Sequence, residues 1–368
     1  MTETTPIYDF AIVGAGMAGA SLAAELAGSA TVAMLEAEDQ AGYHATGRSA
    51  AFWEECYGGP DIVPLTLASG PFLNDGGFLT RRGALYIGRN EDSAQLDHFL
   101  ERFEGTGASI SRVEQAEITA KIPGLRPQWT GAIWEPACAD IDVGSLHAHY
   151  LSAAARAGAV LKTRFRVASL AMANGVWTIT SEAGSVISAR RIINAAGAWA
   201  DQIAGLAGCE PAGISPLRRT VVQLRTNPQP SSEMPLVLDV SGRFYFKPEA
   251  GRVWLSPHDE TPSEPCDAAP EELAVAEAIE RLQSVVDWNV TTVERKWAGL
   301  RSFTPDRLPI YGADQHNSDF IWFAGQGGFG IQTAPAAARL MAARLLGNET
   351  PDDLAAIDVT KYTADRFG

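Results

Sequence analysis

The pattern that most constrains this chain lies near its amino terminus, where an apolar strand, a glycine-rich turn and a helix follow one another. The apolar run Tyr8–Val13 leads directly into Gly-x-Gly-x-x-Gly, formed by Gly14, Gly16 and Gly19. In a dinucleotide-binding unit the first glycine permits the tight turn, and the second lets the backbone approach a pyrophosphate. The third lets helix and strand pack closely. The motif therefore predicts a Rossmann-like unit.

An acidic residue stands where such a unit binds ribose. Glu36 ends the next apolar run, Thr31–Leu35. Its carboxylate can accept hydrogen bonds from ribose hydroxyls, while the pyrophosphate lies against the free N–H groups at the helix N-terminus. A glycine-rich turn without a ligand is the alternative. We predict that a dinucleotide is bound by Gly14, Gly16, Met17, Ala18, Gly19 and Glu36.

Composition narrows the function classes. The 368 residues are 46% hydrophobic and 20% charged, as in soluble globular proteins with a sizeable core. A net charge of −15 disfavours nucleic acid or an anionic membrane as the main partner. No apolar run approaches the roughly 18 residues of a membrane span, so no integral membrane segment is expected. The chain enters the dinucleotide motif too soon to carry a signal peptide, which predicts a cytoplasmic protein.

Cysteines and histidines give no metal-binding pattern. The four cysteines form no Cys-x-x-Cys pair, and they are expected to be buried or incidental thiols of a reducing compartment. His147 and His149 are two residues apart, which suits no common helical metal pair. We therefore expect no metal site.

Two later segments repeat the strand–glycine–helix pattern. One places the strand Arg190–Asn194 before the helix Ala200–Leu206. The other places the strand Phe320–Ala324 before a glycine-rich loop and a helix from about Thr333 to Leu346. Three such units predict one doubly wound α/β sheet that is assembled from separated parts of the chain.

The intervening segments are typical of antiparallel sheet. Short apolar or alternating runs at 83–88, 219–225 and 242–248 predict strands, and 91–105 and 270–285 predict amphipathic helices. The fold class is therefore a combination of α/β and α+β, with a Rossmann-like domain and a discontinuous, mainly antiparallel substrate domain. The predicted bounds are 1–81, 141–212 and 296–368 for the first domain, and 82–140 and 213–295 for the second.

Five motifs carry a resemblance to a known family, and they follow one another in the family's order. They are Gly42–Ala51, Asn194–Trp199, Trp297–Phe303, Thr304–Asp306 and Gly325–Thr333. The chain resembles the D-amino-acid oxidase superfamily of flavoenzymes, which includes glycine oxidase, sarcosine oxidase and bacterial D-amino-acid dehydrogenases. It is most similar to the D-arginine dehydrogenase branch. The resemblance implies a glutathione-reductase-like fold and FAD as the cofactor.

The resemblance also implies further FAD contacts. Thr46, Arg48 and Ser49 can bring hydroxyls and a guanidinium to the pyrophosphate, although a polar surface loop would have the same composition. N–H groups of the loop 325–330 would face the N1–C2=O edge of the flavin, unless the glycines serve only packing. The backbone of Val167 would meet the adenine. The implied set is Thr46, Arg48, Ser49, Ala50, Val167, Ala196, Gly197, Trp199, Arg301, Gly327, Gly328, Phe329, Gly330, Ile331, Gln332 and Thr333.

A nicotinamide dinucleotide is the competing ligand for the first motif. It would need neither the second glycine-rich turn near the carboxyl end nor the Arg48-Ser49 pair after the acidic residue. No cysteine or histidine is placed for a covalent link to flavin. We expect FAD to be bound noncovalently.

Arginines are the expected ligands of a substrate carboxylate, because the guanidinium forks a carboxylate better than an ammonium does. Arg301 lies in an apolar, aromatic motif and matches the family's carboxylate-binding arginine, although pairing with a core carboxylate is the alternative. Arg218 and Arg219 are adjacent on a predicted strand, so only one can face the substrate. The resemblance favours Arg219.

Two tyrosines complete the predicted pocket. Tyr245 could give its hydroxyl to the same carboxylate or be an ordinary core residue. Tyr57 resembles the tyrosine of a mobile lid, with Gly58 and Gly59 as a hinge, and an ordinary loop aromatic is the alternative. These residues would orient the substrate without a general base.

The predicted reaction is oxidation of the α-carbon–nitrogen bond of an amino acid by hydride transfer to flavin N5. The imino acid would hydrolyse to a keto acid and ammonia, and the partners would be a small-molecule substrate and an unidentified electron acceptor. A D-amino-acid dehydrogenase is the first choice. An oxygen-using oxidase of glycine, sarcosine or an N-substituted amino acid is the second, and a flavoprotein subunit of a larger oxidase complex is the third.

The substrate side chain is predicted from a departure from the D-arginine dehydrogenases. By alignment, their carboxylate and histidine for a cationic side chain are replaced by Gly83 and Phe52. This disfavours D-Arg and D-Lys and favours neutral or apolar D-amino acids. Glu54 and Glu55 could restore a negative charge if one turned inward, but a solvated loop is expected for both.

Overall fold

A computed structural model describes residues 6–367. Its eight helices are α1 (Met17–Leu26), α2 (Val63–Asp75), α3 (Ser93–Phe103), α4 (Gln115–Lys121), α5 (Val143–Arg156), α6 (Ala200–Leu206), α7 (Glu272–Val285) and α8 (Gly330–Leu346). The strands are β1 (Ile7–Val13), β2 (Val32–Leu35), β3 (Phe52–Trp53), β4 (Leu79–Arg81), β5 (Ala84–Arg89), β6 (Ser111–Glu114), β7 (Trp129–Glu135), β8 (Ala139–Ile141), β9 (Val160–Lys162), β10 (Val167–Ala173), β11 (Val176–Ser181), β12 (Val186–Asn194), β13 (Ser215–Asn227), β14 (Leu236–Asp239), β15 (Tyr245–Glu249), β16 (Arg252–Ser256), β17 (Thr261–Pro262), β18 (Asn289–Phe303), β19 (Ile310–Ala313), β20 (Phe320–Ala324) and β21 (Gln326–Gly327).

The first sheet has a parallel centre in the order β20-β12-β1-β2-β9. Val13 pairs with both Asn194 and Leu35, so the central strands end at the same edge. The predicted glycine turns follow at this edge, which is where open α/β sheets bind ligands. The last residues of β12 pair with β20, and its first residues pair with β11 of the antiparallel hairpin β10–β11. The sheet is therefore mixed.

The central strands of the first sheet are apolar on both faces, and each face is covered by helices or by a hairpin. Ile12 and Met34 point to a core that includes residues of α1 and α8. Ala11 and Leu35 point to the opposite core, which includes residues of α6 and of the hairpin. Successive strand residues alternate between faces, so a continuous apolar run predicts such two-sided burial.

The second sheet has ten strands in the order β21-β18-β13-β16-β15-β14-β5-β7-β6, with β17 beside β13. All neighbouring pairs are antiparallel except β14 with β5. Residues of α4 and α7 pack on one face, and the other face carries Tyr86, Leu238 and Tyr245. The predicted fold class is confirmed. The strand β18 runs through the predicted domain limit at residue 296, and α8 begins three residues before the predicted Thr333.

The described residues contain no helix that is long and apolar enough to cross a membrane. Within the same residues, no group of three histidine, cysteine or acidic side chains is placed to hold a metal ion. Cys56, Cys138 and Cys209 are buried free thiols, and Cys266 is an exposed one.

Candidate active site

A cavity of about 700 Å³ connects the ligand-binding edge of the first sheet to the second sheet. One end is lined by the amino-terminal glycine turn, and the other by residues of β13, β15 and β18. The loop before α8 lies between the two ends, because β21 at its start pairs with the end of β18. A long ligand held at the first edge would therefore reach the second sheet.

The amino-terminal turn tolerates no side chain at two of its glycines. Gly14 has φ +100°, and a Cβ there would lie 2.4 Å from the carbonyl oxygen of Ala195. A Cβ on Gly19 would lie 1.9 Å from the carbonyl oxygen of Gly14. Gly16 faces the cavity, and the Thr46 hydroxyl beside it accepts a hydrogen bond from Met17 N at 2.9 Å. This cradle at the N-terminus of α1 fits a pyrophosphate.

Glu36 is buried at the end of β2 and lines the same part of the cavity. Its carboxylate accepts hydrogen bonds from Ala15 N and Glu38 N, each at 3.0 Å. Each carboxylate oxygen can accept a second bond. The donor and acceptor set therefore fits the ribose of a dinucleotide.

Most of the predicted FAD residues line the cavity. Gly19, Phe329, Gln332 and Thr333 do not, because Gly19 packs against the turn and the other three are buried in the core. The residues on the cavity are Gly14, Gly16, Met17, Ala18, Glu36, Thr46, Arg48, Ser49, Ala50, Val167, Ala196, Gly197, Trp199, Arg301, Gly327, Gly328, Gly330 and Ile331.

Arg48 has partners other than the predicted pyrophosphate. Its guanidinium donates to the carbonyl oxygens of Ala268 at 2.9 Å and Ala298 at 3.2 Å, and it pairs with Asp267. The Trp297 indole donates to the Arg48 carbonyl oxygen at 2.9 Å. Arg48 thus connects the loop between β2 and β3 to β18.

Arg301 and Arg219 point to the same face of the second sheet. Arg301 lies opposite Leu217 in the antiparallel ladder, and Arg219 is two residues further along β13. Both guanidinium-bearing side chains are nearly buried, at 11% and 9% exposed, and both line the cavity. Arg218 points the other way and pairs with Glu271 at 2.5 Å.

The Arg301 guanidinium links the second sheet to the segment between β3 and α2. It donates to the Tyr57 hydroxyl at 2.9 Å and pairs with Glu260. A Cβ on Gly328 would lie 1.8 Å from that hydroxyl and 3.0 Å from Arg301 Nη1. Glycine at this position therefore allows the loop backbone to approach the arginine–tyrosine pair.

The arginine cluster carries one positive charge in excess. Arg219, Arg301 and Arg307 are gathered around Asp259 and Glu260, so three guanidiniums face two carboxylates. Burial and the nearby Arg301 lower the pKa of Arg219 to about 10, which leaves it charged at neutral pH. The cluster can thus bind one carboxylate without creating an unpaired buried charge.

Tyr245 and His258 lie beside the arginines on the cavity wall. The Tyr245 ring packs edge-to-face with those of Phe52 and His258, at centroid distances of 5.8 and 5.7 Å. His258 Nδ1 lies 2.6 Å from the carbonyl oxygen of Gly242, which can only accept, so Nδ1 carries the proton. Burial and the charges of Arg219 and Arg301 lower the pKa of His258 to about 3. This neutral histidine was not predicted, because an isolated histidine in a loop has no distinguishing sequence pattern.

The expectation of a solvated loop at Glu54 and Glu55 is wrong. These residues are 3% and 5% exposed, and Glu54 lines the cavity. Gln332 holds the turn in place, since its side chain accepts from Glu54 N and donates to Glu54 O, both at 3.1 Å. The Glu55 carboxylate turns away and accepts from Ser109 N at 2.6 Å.

The two positions aligned with the D-arginine dehydrogenase pocket differ in location. Phe52 lines the cavity, whereas Gly83 does not. Gly83 has φ +76°, and a Cβ there would lie 2.0 Å from the Trp134 ring. Glycine is therefore required at this position by the backbone and by Trp134.

Together, the fold and the cavity are those of a dinucleotide-binding protein, with a cluster of arginines on the wall of the same cavity. A family model of FAD dependent oxidoreductases (DAO) matches residues 9–344, and the chain belongs to this family. FAD is therefore the cofactor, rather than a nicotinamide dinucleotide.

Individual relatives are more distant. Glycine oxidase of Geobacillus kaustophilus is 25% identical over 374 residues, covering 96% of this chain and 97% of the enzyme. Its crystal structure superposes with a TM-score of 0.84 at 23% identity, covering 98% of this chain and 99% of that one. An opine oxidase subunit of Agrobacterium tumefaciens is 25% identical over 97% of this chain and 98% of its own. Human mitochondrial dimethylglycine dehydrogenase is 26% identical over 73% of this chain, which spans only 34% of that enzyme.

Proposed function

We propose that this protein oxidises the α-carbon–nitrogen bond of an amino acid, either primary or N-substituted. The observation that carries the proposal is the arginine cluster with one excess positive charge, placed on the cavity beside the loop 326–330. A substrate carboxylate bound there would lie next to the place where the family holds its flavin. FAD, when bound, supplies the oxidant that accepts the hydride from the α-carbon.

The relatives favour glycine-type and N-substituted substrates over the D-amino acids predicted first. Glycine oxidase, the opine oxidase subunit and dimethylglycine dehydrogenase are all similar to this chain. The D-amino-acid dehydrogenase remains the second candidate, because Phe52, Val221 and Leu238 give the cavity an apolar wall that could hold a side chain.

The proposed roles follow from the contacts. Arg301 and Arg219 fork the carboxylate, and the Tyr57 hydroxyl, bonded to Arg301, fixes the direction of that guanidinium. Tyr245 supplies a wall and a hydroxyl. Asp259 and Glu260 are held by arginines and do not serve as a base. The neutral His258 can accept a hydrogen bond from the substrate amine without repelling it. Catalysis by the chain's own residues is then orientation and exclusion of water.

The first experiment is anaerobic titration of the yellow holoprotein with glycine, sarcosine, dimethylglycine and pairs of D- and L-amino acids. We expect at least one of these compounds to bleach the flavin. Reoxidation in air or only with an artificial acceptor then separates an oxidase from a dehydrogenase. A flavin that no amine or amino acid reduces would refute the proposed function.

The adjacent arginines provide a matched pair of variants. Arg219→Ala should lower kcat/KM by about tenfold or more, roughly 1.4 kcal/mol, because it removes a donor from a nearly buried pocket. Arg218→Ala, on the opposite face and paired with Glu271, should change kcat/KM by no more than about twofold. Steady-state kinetics of both variants test whether Arg219, unlike Arg218, contacts the substrate. Equal losses would mean that Arg219 does not touch the substrate.

A further inference from the structure

A pair of buried carboxyls lies at the part of the cavity away from the arginines. The Tyr86 hydroxyl donates to Glu54 and lies 3.1 Å from Glu135 Oε2. Glu135 also accepts from Glu55 N at 2.7 Å. For Glu54, Tyr86 is the one hydrogen-bond donor to the carboxyl group within residues 6–367, and it contacts Oε1. Glu54 is on the cavity wall, so its Oε2 is the atom of this group left for a ligand.

The sheet sets the separation between this group and the arginines. Tyr86 lies directly opposite Leu238, and Leu238 lies opposite Tyr245, so these side chains share one face. Four strand spacings, about 19 Å along the sheet, separate the backbone of Tyr86 from that of Arg219, with Tyr245 midway between them. The α-amine of a bound amino acid is only one carbon away from the carboxylate. At this separation Glu54, which is bonded to Tyr86, could meet only the far end of a substrate side chain and not the α-amine.

Proton counting gives this group a single negative charge. The Tyr86 hydroxyl has one proton for two carboxyl neighbours, so it donates to one of them and accepts from the other, which must be protonated. When a cation approaches Glu54, the shared proton can reside on Glu135 and the charge on Glu54. The remaining neighbours are Cys56, Cys138 and Glu55, none of which is cationic.

We infer that Glu54 is a specificity-determining residue that binds the positively charged end of a substrate side chain, an ammonium or a guanidinium. Phe52, Val221 and Leu238 would line the aliphatic part of that side chain, between the arginine cluster and Glu54. The inference rests on the proposed function and adds the substrate class to it. It reverses the expectation that basic amino acids are disfavoured, because the buried position of Glu54 supplies the carboxylate that Gly83 lacks.

The charge of the pair should respond to pH. Burial raises the pKa of Glu54, and burial with the nearby Glu54 raises that of Glu135, so the pair ionises at higher pH than free carboxyls do. The preference for a cation should therefore be weak in acid and increase toward neutral pH. The measurement is the ratio of kcat/KM for a cationic substrate to kcat/KM for a neutral one. Both substrates carry an α-amine, so the titration of that amine cancels in the ratio.

The test compares arginine with citrulline and lysine with norleucine, in D- and L-forms, by kcat/KM with an artificial acceptor. Citrulline has nearly the same shape as arginine, and norleucine is lysine without its terminal ammonium. In the wild type the cation should have the higher kcat/KM at neutral pH. The ratio of kcat/KM for the cation to that for its neutral counterpart should rise with pH. Glu54→Gln should lower that ratio by about tenfold or more and make it independent of pH. Glu135→Gln, which mimics the protonated Glu135, should keep both the preference and its dependence on pH.

Glu55→Gln is the matched control, because Glu55 is equally buried but bonded to Ser109 N and away from the cavity. It should leave the ratio within about twofold of the wild type. A wild-type ratio near one, or a Glu54→Gln ratio equal to the wild type, would overturn the inference. If citrulline or norleucine still reduces the flavin, the proposed function survives that result. If no amino acid reduces it, both fail. The wild-type pH profile still decides the question if a variant does not fold.

Discussion

Arg301→Ala is expected to lower kcat/KM by about 3 kcal/mol, more than a hundredfold, while FAD content changes little. The side chain is 11% exposed and donates to Tyr57 at 2.9 Å. Its removal would leave the substrate carboxylate and the Tyr57 hydroxyl without this donor in a nearly buried site, where a charge-assisted bond is strongest. Steady-state kinetics and the ratio of flavin to protein absorbance measure the two effects separately.

Arg307 provides the control for Arg301. It also pairs with Glu260, at 2.8 Å, but its side chain is half exposed and it does not line the cavity. Arg307→Ala would remove the excess charge of the cluster but no donor that lines the cavity, so it should lower kcat/KM by no more than about tenfold, far less than Arg301→Ala. Arg301→Lys keeps the positive charge but loses the bidentate hydrogen bonding of the guanidinium. Its kcat/KM should therefore lie between those of Arg301→Ala and the wild type. A loss below about tenfold for Arg301→Ala would mean that Arg301 is structural.

The sequence predicted those parts of the fold whose pattern is local. A strand that runs into Gly-x-Gly-x-x-Gly has one well-known structure, and β1 and α1 follow that pattern. The long strand β18 was not predicted as a strand, and its first half shows why. That half is polar and largely exposed, and pairing with β13, rather than an apolar pattern, keeps it extended. Such pairing partners are more than sixty residues away and leave no local pattern.

The candidate site also combines residues that local patterns predict with residues that depend on distant partners. The glycine and arginine positions could be inferred from short motifs, and the structure brings Arg219, Arg301, Tyr57 and Tyr245 to one cavity. Buried acidic residues could not be inferred in this way. Glu54 is buried because Gln332 fixes its backbone from 278 residues away. A sequence of charged residues on a loop predicts solvent exposure unless such distant partners are known.

Gly16→Val is expected to give a folded, colourless protein. Gly16 is half-buried and faces the cavity, and a Cβ there would lie 3.2 Å from the Thr46 hydroxyl that receives the Met17 N–H. The two γ-methyls of valine would displace that hydroxyl and fill the space where the pyrophosphate meets the helix N-terminus. Absorbance of bound flavin and far-ultraviolet circular dichroism measure cofactor and fold separately.

The choice of glycine matters for this test. A side chain on Gly19 would meet the Gly14 carbonyl oxygen at 1.9 Å, so loss of FAD there could follow from disrupted packing. Gly28, just beyond the other end of α1, has no neighbouring atom within 4 Å of an added Cβ. Gly28→Val should therefore stay yellow while Gly16→Val does not. A Gly16→Val protein with one flavin per chain would show that the cofactor does not lie against this helix, and the binding mode drawn from the motif would fail even though the family uses FAD.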